Sequence, residues 1–363
     1  MIDRGIAERV ASAVGGGPGD ESPLPADLPA LAASSEELVV AYTGLRPAGP
    51  LPPPEAIGRA EWRATNLASM AALLDPLADR LSGSGGPLGG ALRAGTGLIA
   101  GAEAGALVGY LGGRVLGQWD IRLTEPDVPP RLLFVAPNLH HAAKELDADP
   151  AQLVAWVCVH EVTHAVQFTG VPWLREHLAA LLGELLSTLD VKLDPGAVLR
   201  LPSREDLKAL ADAVRSGSLV TLVAGEDRAA LLDQVQATMA LIEGHAEHVM
   251  DAAGEQLVGD LGALRTALDR RRRERPPVLA WIERLIGLEL KLRQYQDGKA
   301  FCDAVVAQAG VPALHRAFTG PESLPTLAEL ADPAAWLRRT DPDRLRPGDA
   351  GESGESGESA GLG

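Results

Sequence analysis

The residues His160, Glu161 and His164 are spaced for metal-assisted hydrolysis. They form the pattern His-Glu-x-x-His within Trp156-Val-Cys-Val-His-Glu-Val-Thr-His-Ala-Val-Gln-Phe168. On a helix, positions i and i+4 share one face, so both imidazoles can reach one metal ion. Glu161 then stands close enough to activate a water as general base. This is the core of a zinc-dependent hydrolase. A metal would satisfy both histidines at once. The plain alternative is a buried helix whose histidines bond to carbonyls or carboxylates.

The surrounding residues predict that helix. Asp149 suits the N-cap and Pro150 the first helical position. Leu153, Val154, Trp156, Val157 and Val159 lead into the motif, and Ala165, Val166 and Phe168 follow it. Gly170 and Pro172 mark its end. A helix apolar on nearly every side is expected to be buried.

Catalytic zinc usually takes three protein ligands and leaves a position for water. Six residues after His164 stands Gly170, which excludes a third histidine there. A glutamate on a later helix is the other common solution. The segment Leu241-Ile-Glu-Gly-His-Ala-Glu-His-Val-Met250 supplies candidates on an amphipathic helix marked by Leu232, Val235, Met239, Ile242 and Val249. Glu243 and Glu247 share a face. Glu243 is read as the third ligand and Glu247 as the group that holds a ligand histidine; the reverse assignment is the alternative. Gly244 leaves room beside a crowded metal, which favours Glu243. His245 and His248 point elsewhere on this helix, to the surface or to supporting roles. For the oxyanion the candidate donors are His177 and Tyr295. His140 and His141 start a helix after Asn138 and read as surface residues, with a place lining the cleft as the alternative.

These residues resemble the zincin-like metallopeptidase family sometimes called type 2. It is largely actinobacterial, and some members carry a label of association with biosynthesis of the deazaflavin coenzyme F-420. The resemblance extends to Trp62-Arg-Ala-Thr-Asn-Leu-Ala-Ser, Gly113-Arg-Val-Leu-Gly-Gln-Trp-Asp120 and Leu133-Phe-Val-Ala-Pro-Asn138. It continues in Val171-Pro-Trp-Leu-Arg-Glu-His177, Glu243-Gly-His-Ala-Glu-His-Val-Met-Asp251 and Gln294-Tyr-Gln-Asp-Gly-Lys-Ala-Phe301, and covers roughly residues 1 to 320. It implies a mainly α, zincin-type fold with a small β element and a metal-dependent hydrolase. It implies no substrate.

The expected reaction is attack of water on a peptide or amide bond, with Zn²⁺ held by His160, His164 and Glu243. The expected partner is a peptide, protein or amide substrate. Two other readings stand beside it. One is a metal-binding or scaffold protein that keeps the fold without proteolysis, for which Glu161 would be needless. The other is an amidohydrolase acting on a small metabolite.

The elements that position the motif follow from composition and pattern. The chain has 363 residues, 46% of them hydrophobic and only 4% aromatic. A net charge of −16 excludes a general nucleic-acid or anionic-membrane binder. The run Arg270-Arg-Arg-Arg-Glu-Arg275 reads as a solvated helix end. Two cysteines, Cys158 and Cys302, make no disulfide framework. The first residues carry no apolar signal run, so a cytoplasmic protein is expected.

Gly97, Gly101, Gly105, Gly109, Gly113 and Gly117 recur every fourth residue. Such a stripe lets another backbone approach closely, and it recurs in membrane helices. The uncharged run between Glu103 and Arg114 is too short to span a bilayer, so a tightly packed core helix is expected.

Helices are predicted at 3–14, 30–44, 56–82, 95–117, 173–190, 204–215, 226–253, 256–272, 278–295 and 297–309, besides the motif helix. Ser203 and Asp206 give a helix-start signal. Strands are predicted at 118–124 and 131–135, and one of the two could hold an extended substrate beside the metal. Residues 1–339 are expected to form one domain with a Gly/Pro-rich linker at about 15–29. The Pro-rich stretch 46–54 reads as a connector. The tail 340–363, with its Gly-Glu-Ser repeat, is expected to be disordered.

Overall fold

The computed structural model describes residues 3–81, 87–187, 226–258, 262, 266 and 288–341. It is mainly helical around a three-stranded sheet. The strands are β1 (Pro54–Ile57), β2 (Gly117–Asp120) and β3 (Arg131–Val135). β3 is central, parallel to β1 and antiparallel to β2.

The order follows from burial. Leu132, Leu133, Phe134 and Val135 are all inaccessible to solvent. Successive strand residues point to opposite faces, so a strand apolar at every position needs cover on both sides. Leu132 and Phe134 pack with Trp119 against α2 (Leu28–Thr43), α5 (Ala136–Leu146) and α6 (Pro150–Gly170). Leu133 and Val135 pack against α1 (Arg4–Val14), α3 (Arg59–Leu81) and α4 (Pro87–Gly112).

β1 is a difference from the sequence reading, which began a helix at 56 and left 46–54 as a connector. Its four residues have no period-two apolar signature; pairing with β3 makes the strand. α4 starts earlier and ends earlier than the predicted 95–117, because Gly113 and Arg114 turn the chain into β2.

The glycine stripe on α4 receives α1. A β-carbon on Gly101 would stand 2.7 Å from the Asp3 carbonyl oxygen, and one on Gly109 2.6 Å from that of Ala11. Gly105 meets the Ala7 carbonyl in the same way. The Asp3 N–H also bonds to the Gly97 carbonyl at 3.1 Å. The stripe therefore serves a helix crossing inside the fold. Among the described residues no helix is long and apolar enough to cross a membrane.

After α6 come α7 (Pro172–Ser187), α8 (Glu226–Ala253), α9 (Glu255–Val258) and α10 (Leu288–Ala309). α10 runs unbroken through residue 296, where the sequence reading divided two helices. The predicted helix at 204–215, its start signal at Ser203 and Asp206, and the Arg270 run lie outside the described residues, as does most of the tail.

A helical cluster missed in the sequence follows α10: α11 (Val311–Leu314), α12 (Leu327–Ala331) and α13 (Pro333–Thr340). These helices are too short to show a period. Trp336, fully buried, anchors them edge-on against Phe301 of α10, with its indole N–H on the Ser323 carbonyl at 2.8 Å.

Candidate metal centre

α6 presents the motif as its sequence predicts. The Asp149 carboxylate accepts from the Gln152 N–H at 2.9 Å, Pro150 opens the helix, and Pro172 starts the next one. Most of α6 is buried, so a polar side chain on it must find a partner within the fold.

His160 and His164 project from α6 toward α8, which carries Glu243. The two Nε2 atoms are 3.1 Å apart, and Glu243 Oε2 lies 3.7 Å from that of His160 and 3.6 Å from that of His164. All three donors lie within 4.8 Å of one another and could hold a metal ion. Two imidazole lone pairs would repel at this distance, so either an N–H of one ring or a metal ion lies between the nitrogens. The triangle of donors has a centre about 2.0 Å from each corner, the length of a zinc–nitrogen or zinc–oxygen bond. Two imidazoles and a carboxylate are also the donor types zinc prefers. The residues present therefore fit the ion.

The charge balance agrees with a cation site. Burial opposes charge on His164, yet the Glu243 and Glu161 carboxylates and the Gln167 amide outweigh it and push its pKa up to about 9. For Glu161, burial together with the Glu243 carboxylate outweighs His164 and a backbone N–H, and lifts the pKa to about 7.

That N–H comes from β2. The Val135 N–H bonds to the Leu116 carbonyl at 2.9 Å, and this phase turns the N–H groups of Gly117 and Trp119 to the outer edge of the sheet. The Trp119 N–H donates to Glu161 Oε2 at 2.8 Å. Gly117 lies against the same side chain: a β-carbon there would stand 2.6 Å from Glu161 Cγ. The strand thus borders the carboxylate directly.

Between β2, α6, α7 and α8 opens a cleft of about 400 Å³. His160, Glu161, His164 and Glu243 line one part of it. Ile121, Leu123, Phe168, Leu178, Met239 and Ile242 form much of the rest.

The other sequence candidates fall elsewhere. Glu247 is half-buried one turn beyond Glu243. His177 packs edge-on against Trp173 with ring centres 5.9 Å apart, and its neighbour Leu178 lines the cleft. Burial lowers the His177 pKa. Tyr295 lies on α10, with its side chain outside the described residues. His140 bonds to the Ser22 carbonyl at 3.0 Å near the surface.

His245 and His248 are not surface groups; they are 1% and 7% exposed. Tertiary packing covers the helix face that the local pattern left open: α2 and α10 meet His248, and α6 and Phe318 meet His245. His248 donates from Nδ1 to Asp303 and accepts at Nε2 from the Tyr42 hydroxyl, both at 2.7 Å. His245 packs on Phe318 and meets Gln167. Gly244 makes room for a helix rather than for the metal: a β-carbon there would strike the backbone of Gly298 on α10.

Sequence reasoning passed over Gln167. Its Oε1 accepts from His164 Nδ1 at 2.9 Å, and its Nε2 reaches the Ile242 carbonyl at 3.0 Å and His245 Nδ1 at 2.8 Å. The available signal was its spacing, three residues after His164 and hence on the same helix face. Gly117 and the Trp119 N–H had no local signal, because the sheet brings them to Glu161.

A helical fold with two histidines and a glutamate converging beside an edge strand defines a zincin-like protein. The chain belongs to the zincin-like metallopeptidase family, whose model matches residues 2–337. It is also similar to a solved structure from Chloroflexus aurantiacus, described as "a putative hydrolase with a novel fold". The two are 29% identical with a TM-score of 0.66, and the match covers 94% of this chain and 99% of the other. No curated protein matches the chain.

Proposed function

We propose that this protein is a zinc-dependent, metallopeptidase-like hydrolase that attacks a peptide or amide bond with water. The observation that carries this reading is the meeting of His160, His164 and Glu243 donor atoms from two helices, with Glu161 at the same place. His160, His164 and Glu243 would hold Zn²⁺. Bound there, zinc would supply a Lewis acid for the substrate carbonyl and lower the pKa of a water.

Glu161 is the general base. Its carboxylate takes the proton of the attacking water and delivers it to the leaving nitrogen. The Trp119 N–H fixes one carboxylate oxygen and so orients the other. The cleft gives an apolar segment of substrate a place to lie. Family membership supports a peptide or protein substrate. A cleft of about 400 Å³ also suits a small amide metabolite, which is the second reading.

The test joins metal content to turnover. Purified protein supplemented with zinc should carry about one ion per chain, the stoichiometry of a single three-ligand site. Glu161→Gln should keep that ion and lose hydrolysis of a pooled library of internally quenched peptides and amides. A protein that takes up no zinc, or a Glu161→Gln variant of undiminished activity, would sink the proposal.

A further inference from the structure

Two buried polar groups that the proposed reaction does not use stand behind His164. Gln167 is fully buried and His245 is 1% exposed. Their contacts form a chain in which each donor and acceptor is set by the next, and the chain begins at a group that cannot change its role.

That group is the Ile242 carbonyl. A carbonyl only accepts, so the Gln167 atom 3.0 Å from it must be the amide nitrogen. The amide oxygen therefore faces His164, and His164 Nδ1, 2.9 Å away, must carry the proton. With Nδ1 committed to Gln167, Nε2 is the nitrogen that gives up its proton and offers a lone pair to an ion. This is the atom that faces His160 and Glu243. The second Gln167 N–H points at His245 Nδ1 at 2.8 Å, which must accept. His245 then carries its proton on Nε2 and stays neutral. Its surroundings agree: burial, with His248 and His315 nearby, holds its pKa well below the usual histidine range.

Turning the amide over would set oxygen against the Ile242 carbonyl and against the His245 lone pair. Each buried group left unsatisfied costs about 1–3 kcal/mol, so the orientation is strongly fixed. The chain also joins two helices. Gln167 stands on α6 three residues after His164, and Ile242 on α8 directly precedes Glu243.

We infer that Gln167, backed by His245, is the positioning residue of the metal centre: it presents His164 Nε2 to the ion and fixes the α6 histidines relative to Glu243. This rests on the proposed metal site, but the His164 Nδ1–H bond exists in the metal-free protein and can be read there. Outer groups of this kind change metal affinity by about 10–100-fold when removed.

Three full-length variants test it. Gln167→Met keeps the length of the side chain and removes both donor and acceptor. His245→Leu removes the acceptor behind Gln167, and His245→Asn restores an acceptor near Nδ1. In ¹⁵N-labelled metal-free wild type, His164 Nδ1–H should give a slowly exchanging downfield proton signal, assigned by its loss in His164→Asn.

Gln167→Met should lose this signal and bind zinc about 10–100-fold more weakly in competition with a chelator. His245→Leu should weaken zinc in the same direction, and His245→Asn should restore it to within about threefold of wild type. A folded Gln167→Met protein that keeps both the signal and the zinc affinity overturns the inference. Should Gln167→Met fail to fold, equal zinc affinity in wild type, His245→Leu and His245→Asn overturns it instead. Absence of zinc binding by wild type would defeat the proposed function, while the Nδ1–H signal would still decide the role of Gln167.

Discussion

Gly244 and Gly298 meet backbone to backbone where α8 crosses α10. A β-carbon on Gly244 would land on the peptide group of Gly298, and one on Gly298 would land on the Ala240 carbonyl. Neither obstacle is a side chain that could turn aside. The crossing holds α8 at a fixed height and angle, and Glu243 stands next to it. Alanine normally favours a helix over glycine by about 1 kcal/mol. Here the clash outweighs that gain, since overpacking costs about 1–3 kcal/mol even where side chains can yield. Gly298→Ala is expected to lower the melting temperature and to weaken zinc binding together, read by thermal denaturation and chelator competition. A more stable variant would show that α10 can slide without disturbing the site.

Gly117 has the same relation to Glu161, with different consequences. Its added β-carbon would meet Cγ of Glu161 at 2.6 Å and Oε1 at 2.8 Å. A side chain can move where a backbone cannot, so the expected effect is on the carboxylate rather than on the fold. Gly117→Ala should bind zinc within about threefold of wild type and lose at least about tenfold in kcat, since small misplacements of a reacting group carry costs of this order. Metal analysis and peptide-library hydrolysis on the same sample check it. Equal loss of metal and activity would show that β2 supports the ligands rather than Glu161.

The two glycine contacts explain how much could be read from sequence. The α6 helix, its cap at Asp149 and the facing of His160 and His164 are properties of a few consecutive residues. So is the helix that bears Glu243, read at 226–253 and found there. The strands at β2 and β3 had local patterns as well. What could not be read depends on distant segments meeting. β1 exists because β3 offers it an edge. Gly244 looked like space for a metal until α10 supplied the neighbour. His245 and His248 stayed open between the surface and supporting roles, because a helical pattern shows which face is apolar, but not which polar groups a second helix will cover.

The small helices at the end of the described chain give a pH-dependent prediction. Glu329 closes a capping box with Thr326 and receives Arg339 at 2.6 and 2.9 Å. The Arg339 guanidinium, helped by the Thr326 N–H, holds the Glu329 carboxyl below its ordinary pKa. A carboxylate with a lowered folded pKa stabilises the fold above its unfolded value, about 4.5, and loses that contribution as pH falls through the folded value. Glu329→Gln should therefore cost stability at pH 7, by about 1 kcal/mol after allowance for the solvent-exposed side of Arg339. The gap to wild type should narrow as pH falls below about 4.5 in urea titrations at each pH. A constant gap would mean that Arg339 is held by the Glu322 and Leu324 carbonyls alone.

The ligand assignment itself separates Glu243 from Glu247. Both occupy one face of α8, and Glu243 Oε2 lies 3.7 and 3.6 Å from the two imidazole nitrogens. Removing a carboxylate that binds the ion takes away one of three protein donors. Removing one that steadies a neighbour leaves the three donors in place. Glu243→Ala should thus reduce zinc affinity by several orders of magnitude, and Glu247→Ala by no more than about 10–100-fold. Isothermal titration of metal-free protein, with circular dichroism to confirm that each variant is folded, compares them directly. Glu243→Asp adds a finer check, because the shorter side chain draws the carboxylate away from donors 3.6 and 3.7 Å distant. Its affinity should fall between wild type and Glu243→Ala. The opposite order for the two alanine variants would move the third ligand to Glu247 and require α8 to slide by about one turn, roughly 6 Å, which the Gly244–Gly298 contact opposes.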